Sequence, residues 1–216
     1  NLIESKTQLW LTVDWNSDFN NIYSYNQDGK VSEDLTQRWV DEKWNDYRKI
    51  NYSYDNKNLT EDITASLVDS LNDWANYRKN VYNYNVNNQR LDSTYFTWSN
   101  TSAEWLNSRK ATWTYDQSGF LTEFLSQKWS VDSTDWIGVF KRTIVNDEAG
   151  KPIETTLSNY VDSTTEWIDS IKTTITYNND NKVTNELNEK WNTLNYWWRN
   201  SSQINYSYDS QGNLIE

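Results

Sequence analysis

Hydrophobic and polar residues alternate along this chain in a pattern that restarts about every 31 residues. One arm reads Leu-x-Glu-x-Leu-x-Gln-x-Trp at Leu121, Glu123, Leu125, Gln127 and Trp129. It recurs as Val31, Glu33, Leu35, Gln37, Trp39 and as Val183, Asn185, Leu187, Glu189, Trp191. Period two over nine residues predicts a strand with one aromatic face, because successive side chains leave a strand on opposite sides. A second arm begins at a tryptophan, at Trp15, Trp44, Trp74, Trp105, Trp136, Trp167 and Trp198, with spacings by subtraction of 29, 30, 31, 31, 31 and 31. In the copy at Trp105, alternation places Trp105, Asn107, Arg109, Ala111, Trp113 and Tyr115 on one face. A lysine recurs five residues after the anchor, at Lys49, Lys79, Lys110, Lys141 and Lys172, on the other face. No stretch holds the spacing of an amphipathic helix, so no helix is expected.

The segments between arms have turn chemistry. Asn26-Gln27-Asp28-Gly29, Asp116-Gln117-Ser118-Gly119 and Asp209-Ser210-Gln211-Gly212 suit type I turns closed by a residue with positive φ. Asn58, Asn88 and Asn181 stand near the glycine position elsewhere. Every connection is short enough for a hairpin. The reading is therefore all-β, with about 14 antiparallel strands from seven two-strand repeats. Units start near Leu2, Val31, Leu59, Leu91, Leu121, Ile153 and Val183, in a single array over residues 1–216. Open twisted sheets of more than about ten strands tend to curl or split. The meander is expected to coil into a flattened barrel or superhelical shell, aromatic face inward. From Leu91 to Trp98 and from Ile153 to Tyr160 the aromatic arrives one residue early, which predicts a slipped strand with a bulge or an outward-turned ring. The copy at Trp136 also departs, with Ile144 and Asn146 in place of its aromatic pair. Asn1-Leu2-Ile3-Glu4 returns as Asn213-Leu214-Ile215-Glu216, which suggests part of a longer array, or ends that pair with other copies through their edge strands.

Composition sharpens this. The chain has 14 Trp and 15 Tyr, and no His, Cys or Met. Tryptophan and tyrosine must supply the buried area that Leu and Ile supply elsewhere. Without His or Cys, the Ser-His and Cys-His nucleophile pairs and imidazole or thiolate metal ligands are excluded. Glu4, Glu33, Glu61 and Glu123 hold one frame position, so they read as ladder residues rather than catalysts, and the protein as a non-enzyme. A formal charge of −11 argues against nucleic acid as a partner and against an anionic membrane surface. No apolar run approaches the roughly 20 residues of a spanning helix.

The intact closing stretch Tyr206-Ser207-Tyr208-Asp209-Ser210-Gln211-Gly212-Asn213-Leu214 resembles the YD repeat of bacterial surface and toxin-shell proteins. The longer Trp-containing unit is similar to aromatic-rich tandem repeats of secreted Bacteroidetes proteins that use type IX secretion. The resemblance implies an extracellular or cell-surface place and a role as structural stalk, filament subunit or adhesin segment. Two other roles are weighed: a carbohydrate-binding module and a shell enclosing another domain. Residues that break the repeat are the candidate polysaccharide contacts, namely Phe96, Trp98, Trp113, Tyr196, Trp197 and Trp198. The Asp-Ser-Thr triplets at 132–134 and 162–164 resemble the Bacteroidetes O-glycosylation signal, which makes Ser133 and Ser163 candidate acceptors. The Asp-rich turns suggest calcium as the one cofactor to consider, although they lack EF-hand spacing.

Overall fold

A computed structural model describes residues 2–11, 14–68 and 73–215; the side chains of residues 8–18, with the frame positions Gln8, Trp10 and Trp15, lie outside that description. Fourteen strands are present: β1 (Glu4–Leu11), β2 (Asp14–Tyr25), β3 (Val31–Val40), β4 (Lys43–Tyr54), β5 (Leu59–Val68), β6 (Asp73–Tyr84) and β7 (Arg90–Ser99). They continue with β8 (Glu104–Tyr115), β9 (Leu121–Ser130), β10 (Asp135–Asn146), β11 (Pro152–Val161), β12 (Glu166–Tyr177), β13 (Val183–Asn192) and β14 (Trp197–Asn205). Each strand bonds to its neighbours in sequence, in the order β1 to β14. No helix occurs among the described residues. The all-β meander is as expected, but the ladder is open, with β1 and β14 as its two edges, and not closed as a barrel. Closure requires the last strand to return to the first in a fixed stagger, and no enclosed core drives that return. Ala65, at 4% exposure, is the one buried apolar residue among those described.

The chain divides into two compact units, Asn1–Ser108 and Arg109–Glu216. The same grammar builds both. Where an anchor tryptophan enters the second-arm strand, a bulge follows three residues later. In β4, Trp44 and Asp46 lie opposite Trp39 and Gln37, yet Arg48 lies opposite Thr36, which leaves Tyr47 unpaired. The same skip falls at Tyr77, Val139, Ser170 and Ser201. A bulged residue shifts every later side chain to the other face. The anchor and the aromatic pair that follows it, read as one face from the sequence, therefore lie on opposite faces. Trp44 shares a face with Trp39, whereas Tyr52 sits opposite Asp62. The lysines are corrected likewise: Lys49 is opposite Leu35, on the tryptophan face.

A second bulge stands near the start of each first-arm strand from β3 to β13, at Ser32, Thr60, Leu91, Thr122, Ile153 and Thr184. Leu91 and Ile153 thus occupy a bulge that every such strand has. Arg90 and Pro152, not Leu91 and Ile153, take the place of Leu121. The strands of Trp98 and Tyr160 are not slipped, because both rings keep the frame position of Trp129 and meet their anchors Trp105 and Trp167.

Six of seven turns follow one design, and the Asp55 turn closes one residue sooner, on the Asn58 carbonyl, with Asn58 outside the glycine position expected for it. Asn26, Asp55, Asn85, Asp116, Asp147, Asn178 and Asp209 each use a side-chain oxygen to accept backbone N–H groups two to four residues ahead. Gly29, Gly119, Gly150 and Gly212, or Asn88 and Asn181, take the positive φ that closes the turn.

Candidate functional site

The tryptophan face is built from cross-strand pairs. Trp39–Trp44, Trp98–Trp105, Trp129–Trp136, Tyr160–Trp167 and Trp191–Trp198 pack edge to face with centroids 5.0–5.2 Å apart. In the hairpin of β5 and β6, Leu67 stands opposite Trp74 instead. In four units a lysine lies over the anchor of the next. Lys49 is 4.5 Å from the Trp74 ring centre, Lys79 is 5.2 Å from Trp105, Lys141 is 5.1 Å from Trp167 and Lys172 is 5.0 Å from Trp198. Glu189 anchors Lys172 at 2.7 Å, and Glu61 stands 4.0 Å from Lys79. Of the recurrent carboxylates, Glu61 thus stands beside the lysine ladder, while Glu189 holds the frame position of Gln127. This coupling between units was not read from the sequence; the signal was the lysine at anchor plus five, misassigned to the other face.

Another ladder runs through the turns. In several copies the residue before a first-arm strand reaches the following turn: Lys30 Nζ donates to the Asn56 carbonyl at 2.9 Å, and Asn58 Nδ2 to Asn88 Oδ1 at 3.0 Å. Lys151 Nζ donates to Asn181 Oδ1 at 2.5 Å, and Lys182 Nζ to the Gly212 carbonyl. Phe120 fills the same place beside Gly150, where a Cβ would fall 2.2 Å from its ring. The hydroxyls of Tyr54, Tyr177 and Tyr208 donate to the carbonyls of Val31, Pro152 and Val183, each at 2.9 Å. Asn146 replaces a tyrosine and keeps the bond, with its Nδ2 donating to the Leu121 carbonyl at 2.9 Å.

The reverse face carries the differences between units. In residues 1–108 it is a polar row. Asp62, 7% exposed, accepts from Asn80 Nδ2 at 2.9 Å and from the Tyr82 hydroxyl at 2.6 Å. Burial, with the hydrogen bond to Asp62, pushes the Tyr82 hydroxyl pKa up. Arg78 Nε donates to the hydroxyl of Thr64, which is 1% exposed. Desolvation raises the pKa of Asp34, against the opposing pull of the Arg48 guanidinium. Asp34 Oδ1 and Arg48 Nε are buried without hydrogen-bond partners.

In residues 109–216 the equivalent row turns apolar across β8 to β10, and is polar again at Thr173, Asn188 and Glu186. Two steps of 31 carry Asp62 to Phe124, and Arg78 becomes Phe140. Trp113 meets Phe124 edge-on at 5.2 Å, and Phe124 lies 5.7 Å from Phe140. A hollow of about 370 Å³ opens here, lined by Phe124, Phe140, Arg142, Thr155, Leu157, Ile171 and Thr173. A second hollow, of about 400 Å³, lies near the β11–β12 and β13–β14 turns, lined by Glu166, Trp167, Ile168, Asp169, Trp191, Thr193 and Tyr196.

The sequence candidates are dispersed. Phe96 lies under Lys79 at 4.8 Å, and Trp98 is paired with Trp105, so both belong to the repeating frame. Trp113 borders the apolar hollow through Phe124. Tyr196, 78% exposed with φ of +56°, is a turn residue of the second hollow. Trp197 is exposed beside it, while Trp198 is taken up by Trp191 and Lys172. Ser133 and Ser163 stand in exposed turns. The turn aspartates spend their oxygens on backbone N–H groups, and no three acidic residues converge among the described residues.

No protein-family model matches the chain, and no curated protein matches it. Three solved structures give weak likenesses, each below 0.5 in TM-score. A protein of unknown function from Bacteroides fragilis is 15% identical, with a TM-score of 0.46, over 58% of this chain and 91% of its own. A porin-like protein from Bacteroides uniformis is 10% identical, TM-score 0.32, over 94% and 95%. The Photorhabdus luminescens Tc holotoxin pore is 14% identical, TM-score 0.39; 90% of this chain spans 11% of that one.

Proposed function

We propose that this chain is a non-enzymatic structural repeat module of a secreted or cell-surface protein, serving as a stalk, filament or adhesin segment. The observation that carries this reading is the lysine of one unit seated over the tryptophan of the next, repeated at Lys49, Lys79, Lys141 and Lys172. Each contact is worth about 0.5–1 kcal/mol when exposed, and together with the turn ladder it ties neighbouring units in series. Stability in such arrays is a sum of unit and nearest-neighbour terms, which suits a load-bearing element. The resemblance of the repeat to secreted tandem arrays supports the location, and the exposed turns at Ser133 and Ser163 are places where a glycan fits. Open edges at β1 and β14 favour association with further copies. Light scattering across a concentration series is expected to show growing head-to-tail assemblies; a strict monomer at the highest concentration contradicts the filament role.

A second reading is carbohydrate binding at the hollow of Trp167, Trp191 and Tyr196, where Glu166 and Asp169 sit among aromatic rings. Trp167 and Trp191 are themselves packed on Tyr160, Lys141 and Trp198, so the exposed Tyr196 is the ring that would stack on a sugar. Tryptophan fluorescence titrated with a polysaccharide panel tests this. Quenching that Tyr196→Ala abolishes supports it, and an unchanged spectrum with every polysaccharide removes it.

A further inference from the structure

In the hollow of residues 124–173, an arginine stands over an apolar floor with no acidic residue beside it. The Cα partners of Arg142 are Phe124 and Leu157. Along the same face, its flanking residues are Phe140 and Ile144 on its own strand, Ser126 on β9, and Thr155 and Asn159 on β11. None is acidic, and Glu123 and Glu154 of the adjoining strands point to the tryptophan face. Among the described residues, Arg142 takes part in no ion pair. In the first unit, Asp34 and Asp62 occupy the positions that become Phe124 and Thr155 here, and they set negative charge beside Arg48 and hydrogen-bond acceptors beside Asn80 and Tyr82. In the second unit the arginine place of β4 and β6 is taken by Phe140, and Arg142 stands where β4 has Ile50, with Phe124 and Thr155 in the places of the two carboxylates.

We propose that this hollow binds an aliphatic monocarboxylate, with its carboxylate paired to Arg142 and its tail laid across Phe124, Phe140, Leu157 and Ile171. Size and chemistry agree. A cavity of about 370 Å³ falls in the range of small-molecule sites. Guanidinium and carboxylate form two parallel charge-assisted hydrogen bonds. Thr155 and Thr173 add hydroxyls at the lining. This inference is independent of the stalk reading, since a structural array can carry a ligand site on one face.

The test is a calorimetric titration of the whole chain with decanoate, and in parallel with decanol, below their aggregation concentrations. Decanoate is expected to bind once per chain, with Kd on the order of 0.1 mM, and at least tenfold more tightly than decanol. Arg142→Gln should weaken decanoate at least tenfold and leave decanol unchanged; Arg142→Lys should fall between. Arg142 is exposed, so the fold should survive; if Arg142→Gln fails to fold, the decanoate-to-decanol ratio decides on the parent chain. Equal binding of acid and alcohol, no saturable decanoate binding, or a folded Arg142→Gln chain with parent affinity each overturns the proposal. A chain dimer that decanoate does not dissociate, and that Arg142→Gln leaves intact, assigns the hollow to a second copy and also overturns it.

Discussion

Seven turns open on Asn26, Asp55, Asn85, Asp116, Asp147, Asn178 and Asp209, and amide and acid accept backbone N–H groups in the same way. They differ in charge. The Lys151 backbone N–H, the Ala149 N–H and the Lys151 ammonium hold the Asp147 carboxyl below the usual range. The Asn213 side-chain amide and backbone N–H do so for Asp209. A depressed folded pKa gives stability that is present above the unfolded value, about 3.9, and is lost as pH falls through the folded one. The double variant Asp147→Asn, Asp209→Asn should therefore keep the fold and lose less stability than the parent below about pH 4. Denaturant midpoints at pH 7, 4 and 2.5 check this, and parallel acid losses contradict it. The tryptophan pairs are the larger contribution. Removing one ring of an edge-to-face pair forfeits buried area and the quadrupole contact, so Trp129→Ala should cost about 2–3 kcal/mol. Urea unfolding measures it; a loss below about 0.5 kcal/mol would mean that the pair at 5.1 Å adds nothing.

At the level of the strand, the bulge organises the protein. The strand count, the hairpin turns and the antiparallel order were legible because period-two patterning and Asx-Gly turn chemistry are local signals. Face assignment was not. Trp136 and Ile144 are eight residues apart, an even number that alternation reads as one face, and only the extra residue at Val139 separates them. A bulge leaves no mark in composition: Tyr47, Tyr77, Val139, Ser170 and Ser201 share no chemistry. The polar row at Asp62 and the apolar hollow at Phe124 were hidden for the same reason, as their residues were scattered between two misread faces. The bulge also brings the next anchor close. Gly138, where β4 has Asp46 and β12 has Asp169, lies under Trp167, and a Cβ there would meet the ring at 2.6 and 2.7 Å and Tyr160 at 3.1 Å. Gly138→Ala should displace Trp167 and destabilise by about 1–3 kcal/mol. Thermal unfolding reads this, and an unchanged midpoint would show that the indole can yield.

Across the whole chain, the recurrent and the particular residues divide the work. Tryptophan pairs, anchor-plus-five lysines, tyrosine hydroxyls and turn asparagines return in unit after unit, and they join each unit to the next. Asp62, Phe124, Phe140 and Arg142 change from copy to copy and gather on the reverse face. If the recurrent set alone specifies the fold, units are interchangeable lengths of one ladder. Excision of residues 121–151 tests this most directly. It removes 31 residues, one full repeat, and joins Phe120 to Pro152, so that β8 should pair with β11. A folded twelve-strand chain is expected, with a cooperative urea transition and the near-ultraviolet dichroism of packed tryptophan pairs. A chain without that signal or that transition would contradict it.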